Sequence, residues 1–143
     1  AGGYEVSIEA THHGPLSLNV PAWFVEIGSS PDRWADEAAA ELVADAIWES
    51  ITSEPRGRGA VGFGGGHYSR KHTEVCLAGE LAVGHLFSKH SAELIDAEGV
   101  RRALEATYGG CEVAVVDWKG LRGPVRERIV SALRELGVEV VKV

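Results

Sequence analysis

The sequence predicts a three-layer α/β/α sandwich built around a mostly parallel, mixed sheet. Strand-like and helix-like segments alternate along the chain, and several strand-like runs are apolar almost without interruption, as strands covered on both faces are. Length agrees: 143 residues, 45% of them hydrophobic and 24% charged, suffice for one well-formed core.

The elements follow in order. Residues 4–10 place Val6 and Ile8 on one face and Glu5, Ser7 and Glu9 on the other, the pattern of a first strand. A loop over 11–21 holds two prolines and Asn19. Residues 22–27 form a second strand, apolar except for Glu26. Ser29-Ser30-Pro31-Asp32 then starts a helix, with serine to cap it, proline in the first turn and an acid near its positive end. That helix runs to about Ile51, with Trp34, Ala38, Leu42 and Ala46 on its buried stripe. After a loop over 54–59, a third strand at 60–65 runs into glycines. A helix at 71–78, a strand at 81–87, a helix at 100–107, a strand at 111–118, a helix at 124–136 and a strand at 138–143 complete the order. Gly137 is placed to end the last helix in a left-handed turn. The chain carries no internal repeat and no low-complexity tract.

Composition narrows the function classes. A net charge of −7 argues against a protein that coats nucleic acid nonspecifically. Local basic surface is still available: Arg56, Arg58, Arg70 and Lys71 bracket the glycine-rich segment, and Arg122, Arg126 and Arg128 gather near the C-terminus. Ordinary solvated faces are the plainer reading of both groups. No apolar run approaches the length of a membrane span and no signal peptide is visible at the start, so a cytoplasmic location is expected. Cys76 and Cys111 stand too far apart for a four-cysteine zinc site and read as reduced, partly buried thiols. The chain is read as one α/β domain over 1–143, and its lack of any methionine marks it as processed or cut.

In such sheets ligands bind beyond the carboxyl ends of the strands. Three features fall at expected strand ends: His12 and His13 after the first, Glu26 and Gly28 after the second, and Gly64-Gly65-Gly66-His67 after the third. Adjacent side chains on extended backbone point opposite ways, so one of His12 and His13 faces a site while the other braces the loop. Two loop histidines exposed to water are the plainer alternative. Three successive glycines weaken the backbone, and close approach to a ligand or bare amides for an oxyanion would offset that; a tight turn is the alternative. His67 follows them directly. His85 lies in the fourth strand, as either a core residue or a ligand, while His72 and His90 are read as surface residues. Glu26 interrupts an apolar run and needs a partner: an imidazole, a metal, or an arginine in a plain salt bridge. Glu9 makes a weaker version of the same case. Several histidines and a carboxylate suit Zn²⁺ with an open position, by inventory and not by spacing, since no HExxH is present.

The motifs Glu9-Ala10-Thr11-His12-His13-Gly14-Pro15, Trp23-Phe24-Val25-Glu26-Ile27-Gly28-Ser29, Gly62-Phe63-Gly64-Gly65-Gly66-His67-Tyr68, Gly84-His85 and Asp117-Trp118-Lys119-Gly120-Leu121 occur in that order. Together they resemble the archaeal and plant type of D-aminoacyl-tRNA deacylase, the second, zinc-associated kind. The resemblance implies a phosphorylase/hydrolase-like fold, related in architecture to peptidyl-tRNA hydrolase. It implies hydrolysis of the ester joining a D-amino acid to the tRNA 3′ end, and it implies zinc. By matching motif it implies His12, His13, Glu26, His67 and His85 as metal-site residues, with His67, His12 and Glu26 catalytic. Gly64, Gly65, Gly66, Arg70 and Lys71 are expected to contact the substrate, a tRNA carrying a D-amino acid, in a monomer or small homo-oligomer. Members of the family are longer at the N-terminus, so a fragment lacking an N-terminal segment, or an unusually short form, is expected. Two other readings compete: a zinc hydrolase of a small amide or peptide on a related fold, and a noncatalytic binding domain with structural histidines.

Overall fold

The computed structural model describes residues 3–14, 18–54 and 56–143, so Pro15 of the expected Gly14-Pro15 turn and Pro55 of the expected 54–59 loop lie outside the described residues. The chain gathers into two compact units, Ala1–Glu5 with His13–Pro55 and Val6–His12 with Arg56–Val143.

In the first unit the expected single helix is two, α1 (Pro31–Trp34) and α2 (Glu37–Thr52). Asp36 makes the break. Its backbone is extended and its carboxylate accepts the Ala39 N–H at 3.2 Å, so it caps a new helix instead of continuing the old one. The Tyr4 hydroxyl donates to the same carboxylate at 2.8 Å and holds its pKa below the usual carboxylate value. The strand expected over 22–27 does not form: Trp23, Phe24, Val25 and Glu26 are exposed. A continuous apolar run encodes a preference for burial, but a strand also needs a neighbour for its backbone groups. Among the described residues of this unit there is no such neighbouring strand. Nor does the expected stripe on α2 bury itself; of its residues only Ala39 is buried, and Leu42, Ile47, Trp48 and Ile51 are exposed.

The second unit carries β1 (Arg58–Phe63), α3 (Arg70–Leu77), β2 (Leu81–Phe87), α4 (Ser91–Leu94), α5 (Ala97–Ala106), β3 (Val113–Val116), α6 (Gly123–Glu135) and β4 (Glu139–Lys142). The strands order β2-β1-β3-β4 and pair in parallel throughout, in keeping with the mostly parallel sheet expected. Alternation along β1 and β3 sorts side chains to two faces. Val61, Phe63, Ala114 and Val116 meet Val100, Ala103 and Leu104 of α5 and Ile129 and Leu133 of α6. Ala60, Val113 and Val115 pack with Val75 of α3 on the other face. Helices on both faces give the three layers. Each fully buried Phe63, Ile129 and Leu133 contributes about 1.5–3 kcal/mol. Gly137, at φ +72°, ends α6 in the expected left-handed turn.

Residues 4–10 are not a strand either, apart from one antiparallel bridge between Glu9 and Tyr68. Instead the segment ties to a loop, a helix start and the edge strand. Ala10 N–H donates to the His67 carbonyl at 2.7 Å, Ser69 N–H to the Ile8 carbonyl at 3.1 Å, and Thr11 N–H to the Leu86 carbonyl at 2.8 Å. Such irregular partners satisfy its backbone without a ladder.

Candidate active site

The carboxyl end of β1 fixes the site. Phe63 is followed by Gly64 and Gly65 at φ +100° and +80°, conformations that only glycine adopts without strain. Space demands glycine as well: a Cβ on Gly65 would lie 2.5 Å from Ser69 Oγ, and one on Gly64 would lie 3.0 Å from the Asp117 Cβ. The Gly64 N–H donates to the Phe87 carbonyl at 2.8 Å, so of the three glycine amides this one is committed to the fold. Among the described residues no acceptor takes the Gly65 or Gly66 N–H.

His67 emerges from this loop and its Nε2 lies 2.5 Å from Glu9 Oε1. The His12 ring stands 4.6 Å from the His67 ring, centroid to centroid, with its Nε2 at 4.0 Å from the same carboxylate oxygen. His12 Nδ1 is 2.6 Å from the Ala10 carbonyl, so Nδ1 carries the proton and donates it, and the lone pair of the neutral ring sits on Nε2. By the same reasoning His67 donates Nε2–H to Glu9 and keeps its lone pair on Nδ1. The Glu9 side chain is 22% exposed and those of His12 and His67 about twice that, so the cluster is open on the imidazole side.

Of the expected ligands, His12 and His67 meet within the second unit, with the Glu9 carboxylate between them. In the other unit His13 Nε2 contacts Glu26 Oε1 at 3.1 Å and the His13 ring stacks on Phe24 with centroids 4.3 Å apart. Glu26 is half-exposed there, so the cost of burial that singled it out in the sequence does not arise. His85 faces α5: a register slip in β2 near Gly84 brings its Nδ1 to 3.2 Å from Thr107 Oγ1. The Thr107 hydroxyl donates to the Ala103 carbonyl, so His85 is the donor in that pair, and burial pushes its pKa down. Of the expected substrate contacts, Arg70 is largely exposed and pairs with Glu74 at 2.8 Å, while Lys71 pairs with Asp117 at 2.7 Å. Cys76 and Cys111 are free, half-buried thiols whose pKa burial raises, which suits neither to nucleophilic work.

His72, expected at the surface, is fully buried. It sits where Gly62 leaves room, since a Cβ on that glycine would lie 2.7 Å from His72 Cδ2. Its Nε2–H donates to the Val115 carbonyl at 3.1 Å, and Ser69 Oγ–H donates to its Nδ1 at 2.6 Å. Burial lowers its pKa, outweighing the pull of the Val115 carbonyl. Through Ser69, which lies against Gly65, this neutral imidazole braces the glycine loop from below. A Ser-x-x-His spacing at a helix start was the one signal in the sequence that could have revealed it.

A parallel sheet with two imidazoles and a carboxylate beyond its carboxyl edge defines an α/β protein with titratable groups where such sheets bind ligands. The chain belongs to the D-aminoacyl-tRNA deacylase family, whose model matches residues 1–141. It is 41% identical over 140 residues to the D-aminoacyl-tRNA deacylase of Pyrococcus furiosus, covering 98% of this chain and 52% of that protein. With the enzyme of the same name from Korarchaeum cryptofilum it shares 43% identity over 143 residues, 99% of this chain and 51% of that protein. A crystal structure of a conserved protein of unknown function superposes with a TM-score of 0.84 at 35% identity, over 95% of this chain and 48% of that one. The chain thus spans about half the length of the curated relatives it matches.

Proposed function

We propose that this chain forms the hydrolytic centre of an enzyme that cleaves the ester of D-aminoacyl-tRNA, releasing tRNA and a D-amino acid. The observation that carries the proposal is the Glu9–His67–His12 cluster at the glycine loop, in a chain whose archaeal relatives bear that activity in their names. Glu9 orients His67 and stabilises the imidazolium, so Nδ1 can take a proton from water as the water oxygen attacks the ester carbonyl. The Gly65 and Gly66 amides receive the developing oxyanion. The C–O bond to the ribose then breaks, and the ribose oxygen takes its proton back from His67. Imidazole and carboxylate are also donors that a catalytic zinc takes, so Glu9 and His12 would help hold that ion while His67 keeps its Nδ1 lone pair for the proton. Zinc would supply Lewis acidity toward the ester carbonyl. The partner in this reading is a tRNA carrying a D-amino acid, met in the cytoplasm by a monomer or small homo-oligomer. Among the described residues no helix is long and apolar enough to cross a membrane.

The test is deacylation of D-tyrosyl-tRNA against L-tyrosyl-tRNA by the natural-length, zinc-loaded protein. His67→Ala is expected to lower kcat by roughly 10²–10⁴-fold, and Glu9→Gln to lower it while circular dichroism stays native. A wild-type protein that leaves the D-ester intact, or a His67→Ala variant with full activity, removes the proposal.

A further inference from the structure

Near the carboxyl end of β2 a cavity of about 150 Å³ opens between α4 and the start of α6, lined by Lys89, His90, Glu93, Gly120, Arg122 and Val125. One wall is shared with the glycine loop: Lys89 N–H donates to the Gly65 carbonyl at 2.9 Å. Gly120 packs against the glycine loop and its neighbour: a Cβ there would lie 2.6 Å from Asp117 Cγ and 3.0 Å from the Gly65 nitrogen. The charges at this cavity differ from the cations that flank the glycine segment and from Arg126 and Arg128. Arg58, Arg70 and Lys71, the cations that flank the glycine segment in sequence, face Glu139, Glu74 and Asp117 at 2.9, 2.8 and 2.7 Å. Arg126 and Arg128 spend their guanidinium groups on the carbonyls of Trp118, Leu121, Ala92 and Glu93. At the cavity, by contrast, no carboxylate among the described residues pairs with Lys89 or His90, and Arg122 reaches Glu93 only at 3.4 Å from an exposed position. Two permanent cations and an imidazole therefore share one carboxylate, in a chain whose net charge is −7. Pinning of the α4 carbonyls by Arg128 fixes the wall that carries them.

We infer that this cavity is a phosphate subsite, filled during the reaction by a phosphodiester of the RNA whose 3′ ester reaches His67. The phosphate chemistry rests on the cavity and its cations. The RNA as its source rests on the proposed deacylase reading. Charge-assisted contacts of Arg122 and Lys89 hold the phosphate oxygens, and the shared wall sets the distance from that phosphate to the glycine loop. A chain this acidic then binds its polyanion through one built position instead of a basic surface.

Two arms test the inference on the natural-length protein. In the first, inorganic phosphate is titrated against chloride at equal ionic strength while the amide resonances of Lys89, His90 and Arg122 are followed. Phosphate-specific shifts are expected, and they vanish in the Lys89→Ala/Arg122→Ala variant, whose two exposed positions leave the fold intact. In the second, D-tyrosyl-tRNA and the phosphate-free ester D-tyrosyl-adenosine are compared. The double variant is expected to lower the ratio of kcat/KM for the tRNA to that for the adenosine ester about tenfold, and to flatten the salt dependence by roughly 0.7 in log–log slope for one single-strand phosphate. Absence of any phosphate-specific shift overturns the subsite. A phosphate response with an unchanged substrate ratio overturns RNA as its source. A wild-type protein that cleaves neither ester while still binding phosphate overturns the deacylase reading and leaves a free-phosphate site.

Discussion

Replacing His72 by alanine tests whether the buried imidazole braces the glycine loop. The substitution strands the Ser69 hydroxyl, which donates to the imidazole at 2.6 Å, while the Val115 carbonyl keeps its partner in the β1–β3 ladder. A hydroxyl left unsatisfied in the interior costs about 1–3 kcal/mol, and the vacated volume adds a cavity penalty of similar size. A loss of about 2 kcal/mol or more in urea unfolding at pH 7.5 (roughly thirtyfold in the folding constant) is therefore expected. The pH dependence supplies an independent check. Burial lowers the pKa of His72 in the folded chain, so below the unfolded value of about 6.5 the unfolded state binds the extra proton. Stability supported by the neutral ring is complete above that pH and drains away as pH falls, at up to about 1.4 kcal/mol per pH unit for one proton. His85, whose pKa is also lowered by burial, adds a second contribution of the same sign. The wild type should therefore weaken steeply between roughly pH 6.5 and 5, and His72→Ala should lose one proton's worth of that slope. A loss under about 1.5 kcal/mol, or a slope unchanged by the substitution, would refute the bracing role.

Other substitutions probe the surroundings of that brace. Gly65→Ala places a Cβ 2.5 Å from Ser69 Oγ at a positive φ, so a stability loss of about 1–3 kcal/mol is expected in thermal melts, with a larger fractional fall in ester hydrolysis. A native melting temperature together with native activity would count against the tight loop. Lys71→Met leaves the mostly buried Asp117 carboxylate with the Gly120 N–H as its remaining partner. It should cost about 1–2 kcal/mol in urea unfolding while leaving KM for the RNA ester within about twofold. A large KM effect would return Lys71 to the substrate-binding role its place in the sequence proposed.

The sequence disclosed most where local pattern and tertiary environment coincide. Residues 81–87 and the helix ending at Gly137 were legible because periodicity, turn chemistry and burial all pointed the same way. In the first 55 residues they did not. Trp23, Phe24 and Val25 read as a buried strand, yet a run of apolar side chains contains no information about a partner strand. Asp36 was an unremarked acid inside an expected helix until its carboxylate closed on the Ala39 N–H. Within the site, His67 and the glycines were legible because their backbone demands are local. The place of Glu9 beside His67 was not legible because it is set by pairing with Tyr68, far along the chain, whereas the apparent burial of Glu26 came from immediate neighbours. His72 was misplaced for the same reason: the hole it fills is made by Gly62 on another element.

The attachment of residues 6–12 to the sheet also sets an order of events. Their hydrogen-bond partners are the His67 carbonyl, the Ser69 N–H, the Thr73 hydroxyl and the Leu86 backbone, groups that stand in place only once β1, α3 and β2 are assembled. Joining Glu9 to His67 closes a long loop, at an entropic cost of about 3.6 kcal/mol that short-range contacts cannot recover beforehand. A nascent or partly unfolded molecule with an intact sheet would thus display the histidine loop without its carboxylate. Under the proposed chemistry it would be inert, so ester cleavage reports that the chain has finished folding.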